Sequence, residues 1–452
     1  MIKKIFLFSV IISQLTVSCT SNDNPDTTTE GSLTEQIANI IKQPYSKLTP
    51  AEQKVKLEAE ANEMVVQMDK SKTSGAIEAI QNLGNLLSIS SVDIFNGKND
   101  NEIEDILNVS GVYGIYTWNN STKIWVKTAS TTELKFVFPA KATQTANNAT
   151  LSSKSNSSNI KVKLEDSYNW QSGTTINDEF YLPTSVDAIL TIDNVQAATF
   201  TTTAKYTGTV ETPDESSFKM VLNDGYTYEI TGSKKATQNT AKSSFTYNGK
   251  NLVSFTAGST ADIDALIEDE DLIQYQGKAN GLVQIMDNFI IVADMDIATQ
   301  TKDEEALEKT LVYPTDPDYQ SPKADYKAYY TAQNTYNKKY SEGNVVNSNK
   351  NLKLILVSKK DGTKIADVVY RSEKGYSYDN EVPVWVKDSF YTNGGHWSYN
   401  GNGETITIQY YDEVLYLKFN DSTEVAMSSY FSTGFDNLET KFENFLKAFE
   451  RN

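Results

Sequence analysis

Apolar side chains recur at two spacings along this chain: three to four residues apart near the start, and two apart through most of the middle. Leu33, Ile37, Ile40 and Ile41 lie at helical spacing, and the helix they predict over Leu33 to Ile41 breaks at Pro44. Thr49-Pro50-Ala51-Glu52 opens a second helix. Thr49 suits the N-cap, Pro50 the first helical position, and Glu52 can reach back to complete a capping box. Leu57, Ala61, Met64, Val65 and Met68 extend its apolar stripe, and a third helix from Ser74 carries Ile77, Ile80, Leu83, Leu86 and Leu87. Such helices bury one face, and a sheet is the expected surface.

From Ser91 to about Ala298 the period falls to two. Gly111 to Trp118 and Lys123 to Lys127 flank Asn119 to Thr122 and predict a hairpin with aromatics paired across it. Phe218 to Leu222 and Tyr226 to Ile230 meet at Asp224-Gly225, and Ser244 to Tyr247 and Leu252 to Phe255 meet at Asn248-Gly249. Both dipeptides suit the left-handed conformations of a two-residue connection. Ala198 to Val210 alternates without a strongly apolar face, so one side of the sheet is expected to be wet. Ala140 to Asn159 is rich in Ala, Thr, Asn and Ser without a period and predicts a mobile loop. Asp262 to Leu272 predicts a short acidic helix, and Leu282 to Ile297 one or two long strands.

Glu304 to Thr310 and Lys323 to Tyr340 predict exposed helices between Pro-containing turns. Leu352 to Val357 and Ile365 to Tyr370 predict a hairpin across Lys360-Asp361-Gly362; Thr405 to Tyr411 and Val414 to Phe419 predict another around Asp412-Glu413. Phe435, Leu438, Phe442, Phe445, Leu446 and Phe449 form an amphipathic stripe expected to close the core. The fold class that follows is α+β and β-rich: a large antiparallel meandering sheet packed by N-terminal helices and a C-terminal amphipathic helix. Five folded or tethering segments are expected after a leader of residues 1–18: a tether at 19–32, helices at 33–90, an antiparallel β region at 91–300, a helical and loop insertion at 301–350, and β hairpins with the terminal helix at 351–452.

The leader reads as a secretion signal with a lipid attachment point. Lys3 and Lys4 precede an apolar run from Ile5 to Ile12, which is too short to span a bilayer. Leu15-Thr16-Val17-Ser18-Cys19 resembles the lipobox of bacterial lipoproteins, although Thr16 stands where leucine is commonest. The resemblance implies cleavage before Cys19, a diacylglycerol on its thiol, and an acyl chain such as palmitate on its new amino group. Cys19 is the sole cysteine, which suits lipidation and rules out an intrachain disulfide. Thr20 to Gly31 has no hydrophobic side chain and predicts a flexible tether. Its Asp23 and Asp26 are similar to the acidic export signals of some Bacteroidota lipoproteins, and the chain resembles uncharacterised envelope lipoproteins of that group. The implied location is the outer membrane, at the cell surface or on the periplasmic face, with the membrane reached through the lipid on Cys19.

Losing Lys3 and Lys4 with the leader takes the formal charge from -18 to about -20. This argues against nucleic acid, whose binding needs clustered Lys and Arg, and against adsorption to anionic lipid. His396 is the single histidine, in Gly394-Gly395-His396-Trp397, so Cys-His nucleophiles and His-rich metal sites are excluded. A glycine-rich turn with a surface histidine is its expected setting. No GxSxG, P-loop or GxGxxG pattern is present. Asn99 to Asp105 and Glu268 to Asp271 are acid-rich but lack EF-hand spacing.

No catalytic residue, metal site or cofactor is therefore assigned. Trp385 and Trp397, separated by a Gly- and Asn-containing loop with Phe390, Tyr391 and Tyr399, are the candidates for an exposed aromatic patch that binds a ligand. The function expected is a non-enzymatic, lipid-anchored protein of the cell envelope with a ligand-binding, interaction or structural role. A carboxylate-dependent glycan-degrading enzyme and a carrier of a hydrophobic ligand are the alternatives; a glycan, a protein or a hydrophobic molecule remains open as the ligand.

Overall fold

The computed structural model describes residues 32–71, 73–92, 94, 103–236, 238–268, 277–399 and 404–431. The leader, Cys19, the tether up to Gly31 and the stripe from Phe435 to Phe449 lie outside these residues. Strands account for 45% of the described residues and helices for 27%, with eight helices and a large, mainly antiparallel sheet of sixteen strands. The β-rich α+β fold is thus established. The chain divides into two compact units, one drawn from Met1–Val292 and Leu356–Ile365, the other from Ala293–Ile355 and Ala366–Tyr430.

In the first unit three helices precede the sheet: α1 (Leu33–Ile41), α2 (Pro50–Ser71) and α3 (Gly75–Ile89). The Thr49 capping box forms as expected, Thr49 donating its N–H to Glu52 Oε2 at 2.8 Å and Glu52 returning one to Thr49 Oγ1 at 3.3 Å. Ser32 and Glu35 make a second capping box at α1. A short helix, α4 (Ile103–Asn108), leads into β1 (Gly114–Asn119), β2 (Ile124–Thr128), β3 (Leu134–Phe138), β4 (Ala149–Asn169), β5 (Thr174–Ile192) and β6 (Val195–Lys205). Then follow β7 (Glu215–Leu222), β8 (Tyr226–Ser233), β9 (Asn239–Tyr247), β10 (Lys250–Ser259), α5 (Ile263–Glu268), β11 (Lys278–Ile285) and β12 (Phe289–Asp296). The strands pair in the order β2-β1-β3-β4 and onward in sequence to β12; β1 and β3 run parallel, and the neighbours from β3 to β11 antiparallel.

The register sorts side chains between two faces. Leu151, Leu190, Ala198 and Leu222 lie opposite one another on β4 to β7 and are buried. Phe200, Met220, Tyr228, Phe245 and Val253 form the next apolar row. This face joins one core with Met64, Met68, Ile77, Leu83 and Leu87 of the helices, and the Tyr226 hydroxyl donates to Gln67 O of α2 at 2.7 Å. Burial pushes that phenol up to about 12. On the opposite face, Asp187, Thr201, Lys219 and Glu229 line up, as do Ser185, Thr203, Ser217 and Thr231. A wet side across β5 to β8 follows from this alternation, as expected.

Two turns separate the hairpin signals. Asn248 and Gly249 both have positive φ, 49° and 75°, and join β9 to β10 as a two-residue connection. At the β7–β8 turn only Gly225 is left-handed, at 100°, and its N–H bonds to Leu222 O at 3.2 Å. That connection is three residues long, Asn223 to Gly225, because Asp224 stays in the right-handed half of the map.

The mobile loop expected over Ala140 to Asn159 is corrected by β4, which begins at Ala149. Ala149 to Ser153 pair with β3, and the strand pairs with β5 from Ala149 to Asn169 with register shifts between Asn156 and Lys161 and between Glu165 and Ser167. Hydroxyl and amide groups replace apolar contacts on its outer side: Thr150 and Thr191 Oγ1 lie 2.7 Å apart, and Asn156 donates to Ser185 Oγ at 2.8 Å. A strand wet on one face needs few apolar residues, so its period was hidden.

The second unit holds α6 (Ile297–Thr310), α7 (Tyr326–Asn351), β13 (Leu352–Ser358), β14 (Thr363–Glu381), β15 (Val384–Lys387), β16 (Gly395–Ser398), β17 (Thr405–Lys418), β18 (Glu424–Ala426) and α8 (Met427–Tyr430), the two units sharing parts of β12 to β14. Asp296 and Asp325 cap α6 and α7, accepting from Thr299 N at 3.1 Å and Ala328 N at 2.8 Å. The hairpin expected around Asp412-Glu413 is not there. Thr405 to Lys418 is one strand that pairs with β14, placing Glu373 opposite Asp412 and Ser372 opposite Glu413. The acid pair sits beside a bulge in β14 between Lys374 and Ser377, whose carbonyls at Gly375 and Tyr376 accept from Gln409 Nε2 at 3.0 and 3.2 Å. Polar residues there mark a bulge, which sequence alone does not distinguish from a turn.

The long helix α7 binds the strands through asparagines. Asn334 donates to Thr407 O and accepts from Gln409 N, each at 2.8 Å, and Asn337 donates to Gln409 O at 3.0 Å. Near its other end Asn349 donates to Tyr370 O at 3.0 Å and accepts from Tyr370 N at 2.8 Å. One carboxamide thus satisfies a donor and an acceptor of a strand backbone, as a neighbouring strand would.

Candidate functional site

Aromatic side chains concentrate in the second unit: 16 of the 26 tyrosines fall within Ala293–Ile355 and Ala366–Tyr430. One group of them lies beside β15 and β16, which form a two-stranded sheet of their own. Trp385 pairs with Trp397 and Val386 with His396. The two indole rings meet edge to face, centroids 5.5 Å apart. Trp397 also packs on Tyr326, at the first turn of α7, with centroids 4.9 Å apart, and its Nε1–H donates to Ser321 O at 3.1 Å.

These contacts change the role of the two tryptophans singled out in the sequence. Both are half-buried wedges that fix the hairpin. The exposed rings are those of the connecting loop and its surroundings: Phe390 is 88% exposed, Tyr399 60%, Tyr391 43% and, from the neighbouring turn, Tyr319 70%. Sequence reasoning did not single out Tyr319; the turn-rich run Asp316-Pro317-Asp318-Tyr319 was its available signal.

The loop that carries Phe390 is held by its own backbone. Asp388 Oδ1 accepts from Phe390 N at 2.9 Å, and Asp388 N donates to Gly394 O at 3.1 Å. Gly394 N closes a turn on Tyr391 O at 2.9 Å, and Asn393 Nδ2 reaches Gln320 O at 2.7 Å. Gly395 permits the close strand crossing: a Cβ there would lie 2.2 Å from Val386 O and 2.8 Å from the Trp385 ring. Phe390 and Tyr391 are therefore presented on a fixed frame, with their rings 5.8 Å apart. Little conformational entropy remains to be lost when such a surface is covered.

Hydroxyls and carboxylates border the rings. The Tyr329 hydroxyl bonds to Asp316, and Asp318 Oδ1 accepts from Gln320 N at 3.0 Å. Burial, then the neighbouring Tyr399, Asp318 and Asp316, raises the Tyr326 phenol above its ordinary 10. Tyr330 is raised by burial and by its bond with Tyr399, and Tyr329 chiefly by its bond to Asp316. All three phenols stay protonated at neutral pH and act as donors.

His396 is a half-buried strand residue of β16 whose ring lies 4.9 Å from Tyr391; the surface turn expected for it belongs to the preceding glycines. Its Nδ1 is buried and has no hydrogen-bond partner among the described residues. A second aromatic group, not foreseen in the sequence, lies on β14 and β17: Tyr376, Tyr378 and Tyr410 are exposed, with centroids 5.9 to 6.4 Å apart and planes within 28°. Among the other tryptophans, Trp118 and Trp125 are a cross-strand pair at 5.2 Å, while Trp170 stands 88% exposed beyond the end of β4. Of the acid-rich runs, residues 99–102 and 269–271 lie outside the described residues. Among the described residues no three His, Cys, Asp or Glu side chains gather to hold a metal ion, and no helix is long and apolar enough to cross a membrane.

No protein-family model, curated protein or solved structure matches the chain.

Proposed function

We propose that the protein is a lipid-anchored, non-enzymatic binding protein of the bacterial cell envelope. Cys19 carries the lipid, the tether to Gly31 separates the anchor from the folded units, and the aromatic loop of the second unit makes the contact. The observation that carries the binding reading is Phe390: a large apolar ring, 88% exposed, on a loop whose backbone is fixed by Asp388, Tyr391 and Gly394. Exposing such a ring on a rigid frame forgoes burial that would stabilise the fold, so a partner that covers it is the simplest account. Trp385 and Trp397 support the loop from beneath, and Tyr391 and Tyr399 extend the contact surface.

The anchor is tested by metabolic labelling with a fatty acid. The wild-type chain should incorporate label and Cys19→Ala should not; label retained in Cys19→Ala overturns the anchor. Protease shaving of intact cells then separates the two faces of the outer membrane, since cleavage marks a surface location and protection a periplasmic one. The binding surface is tested by replacing Phe390 with a photo-crosslinking phenylalanine on living cells. A discrete adduct supports the reading, and its absence under saturating illumination counts against it.

A further inference from the structure

We infer that the hairpin arm formed by the outer halves of β4 and β5 seats its tip, at Trp170, in the headgroup region of the membrane that holds Cys19. This rests on the lipid anchor proposed above and adds a second membrane contact, made by the folded first unit itself. Three observations carry it.

The first is the form of the arm. β3 pairs with β4 only from Ala149 to Ser153, and β6 with β5 only from Ser185 to Ile192. Beyond them, among the described residues, the two strands pair with each other alone, apart from a single bridge between Ser110 and Tyr181. Ile160, Val162, Phe180 and Leu182 bury the root of the arm in the core, and Glu179 pairs there with Lys161 and, at 3.3 Å, with Lys163. From Lys163 to Asn169 the ribbon runs on for about 20 Å at the rise of a strand. Gly173, at φ 67°, turns it back.

The second is the chemistry of the tip. The eleven residues from Ser167 to Asn177 carry no charge. Trp170 stands in the turn between the strands and is 88% exposed. Indole suits a membrane interface, because its ring is apolar and its N–H keeps a partner in the wet headgroup layer. Glu165, Asp166, Asp178 and Glu179 restore charge below the tip and oppose deeper entry, so the seat is shallow. The turns at the opposite end of the sheet instead hold Asp193, Asp224 and, beside Asn248-Gly249, Lys250.

The third is where the tether enters. The ladder carries one row from Ser185 of β5 through Thr203, Ser217, Thr231 and Lys242 to Thr256 of β10. Gly258 lies two residues past that row, and a Cβ on it would sit 3.3 Å from Leu33 Cδ2; Asn280, paired with Gly258, donates to Thr34 Oγ1 at 3.4 Å. The start of α1 is thus at the end of the sheet from which the arm projects. Thr174, at the tip, lies eleven residues past Ser185, hence nine positions or about 30 Å beyond the level of Gly258. The twelve residues from Thr20 to Gly31 can span up to about 40 Å. A lipid on Cys19 therefore reaches the plane that the tip touches. One tryptophan binds a bilayer weakly by itself, but the tether keeps it beside that surface and makes the contact intramolecular in effect. Anchor and arm together fix how the first unit stands on the membrane.

The test uses the full chain, extracted from membranes in mild detergent and reconstituted into phosphatidylcholine vesicles, with or without phosphatidylcholine brominated near the top of its acyl chains. Bromine quenches only tryptophan that lies in the bilayer. The wild type should lose about a fifth of its emission on brominated vesicles, one tryptophan of five. Trp170→Ala should lose none. Gln171→Glu, which leaves Trp170 in place and adds a charge to the tip, should lose less than the wild type. Near-ultraviolet circular dichroism verifies that each variant is folded. Equal loss in the wild type and Trp170→Ala, or no loss in either, overturns the arm contact, as does a Trp170 photo-crosslinker that captures protein and no lipid on living cells. Flotation separates this inference from the anchor. A wild type that floats with the vesicles, where Cys19→Ala does not, but shows no bromine effect keeps the anchor and loses the arm contact; a wild type that floats no better than Cys19→Ala loses both.

Discussion

Trp397 donates its indole N–H to the Ser321 carbonyl at 3.1 Å, and this bond ties β16 to the turn ahead of α7, beside the Asn393–Gln320 bond from the loop. The same ring packs on Trp385 and Tyr326. Support and display are thereby divided between different aromatic residues, half-buried tryptophans below and open rings above.

Trp397→Phe should keep most of the ring contact and leave the Ser321 carbonyl without its donor, costing about 1 kcal/mol. Trp397→Ala should cost about 3 kcal/mol, and Phe390→Ala less than about 0.5 kcal/mol, because the Phe390 ring is exposed and meets the exposed Tyr391 edge-on. Urea unfolding followed by circular dichroism measures all three. Equal costs for Phe390→Ala and Trp397→Ala would refute the division of roles.

Gly395→Ala should open the hairpin. The new Cβ would meet Val386 O at 2.2 Å, a backbone atom that cannot swing away as a side chain could. The Trp385–Trp397 pair then separates, and the near-ultraviolet dichroism of the tryptophans should fall while the far-ultraviolet signal of the large sheet persists. An unchanged aromatic spectrum would contradict the observed crossing.

Asn334 distinguishes hydrogen-bond geometry from polarity. Asn334→Asp retains an acceptor for Gln409 N but turns a carboxylate toward Thr407 O, whereas Asn334→Ala removes both bonds. Each variant should lose about 1–2 kcal/mol, and the aspartate should recover part of its loss at low pH, where its protonated form can donate again. Hydrogen exchange at Gln409 N, faster in Asn334→Ala than in wild type, gives the local check.

Arg371 grips Glu424 with two bonds, Nε to Oε2 at 2.9 Å and Nη2 to Oε1 at 2.6 Å. The guanidinium holds the Glu424 carboxyl below its ordinary 4.5. A carboxyl lowered by folding adds stability that is complete above its unfolded value and disappears as the pH falls through its folded value. The gap in denaturation midpoint between wild type and Glu424→Gln should therefore be present at pH 7 and shrink below pH 4.5. Because both side chains are partly exposed, the gap corresponds to about 0.5–1 kcal/mol. A gap that is constant with pH would mean the pair contributes nothing through charge.

Where burial sets the pattern, the chain can be read directly. Leu57, Ala61, Met64 and Met68 announce α2 because one face of that helix meets the core, and Thr49 and Glu52 mark its start through bonds only three residues apart. Asn248-Gly249 likewise specifies its turn through local backbone preference. The failures share a cause. In β4 and at Asp412-Glu413 the partners that make the strand lie far along the chain, and polar side chains are stable there because those partners supply hydrogen bonds. The candidate site was legible by composition, in Trp385, Tyr391, Trp397 and Tyr399, but not by role. Which ring faces solvent depends on Ser321 and Tyr326, and no local pattern connects these to Trp397.

The asparagines of α7 have a consequence for how this molecule behaves beside copies of itself. A strand whose outer backbone groups are open is a template for another copy of itself. On β17 those groups are taken, at Thr407 and Gln409 by Asn334 and Asn337 and from Tyr416 to Lys418 by β18. Side chains, which cannot propagate a ladder, stand where a seventeenth strand would have added. At those residues a second copy finds the edge already closed.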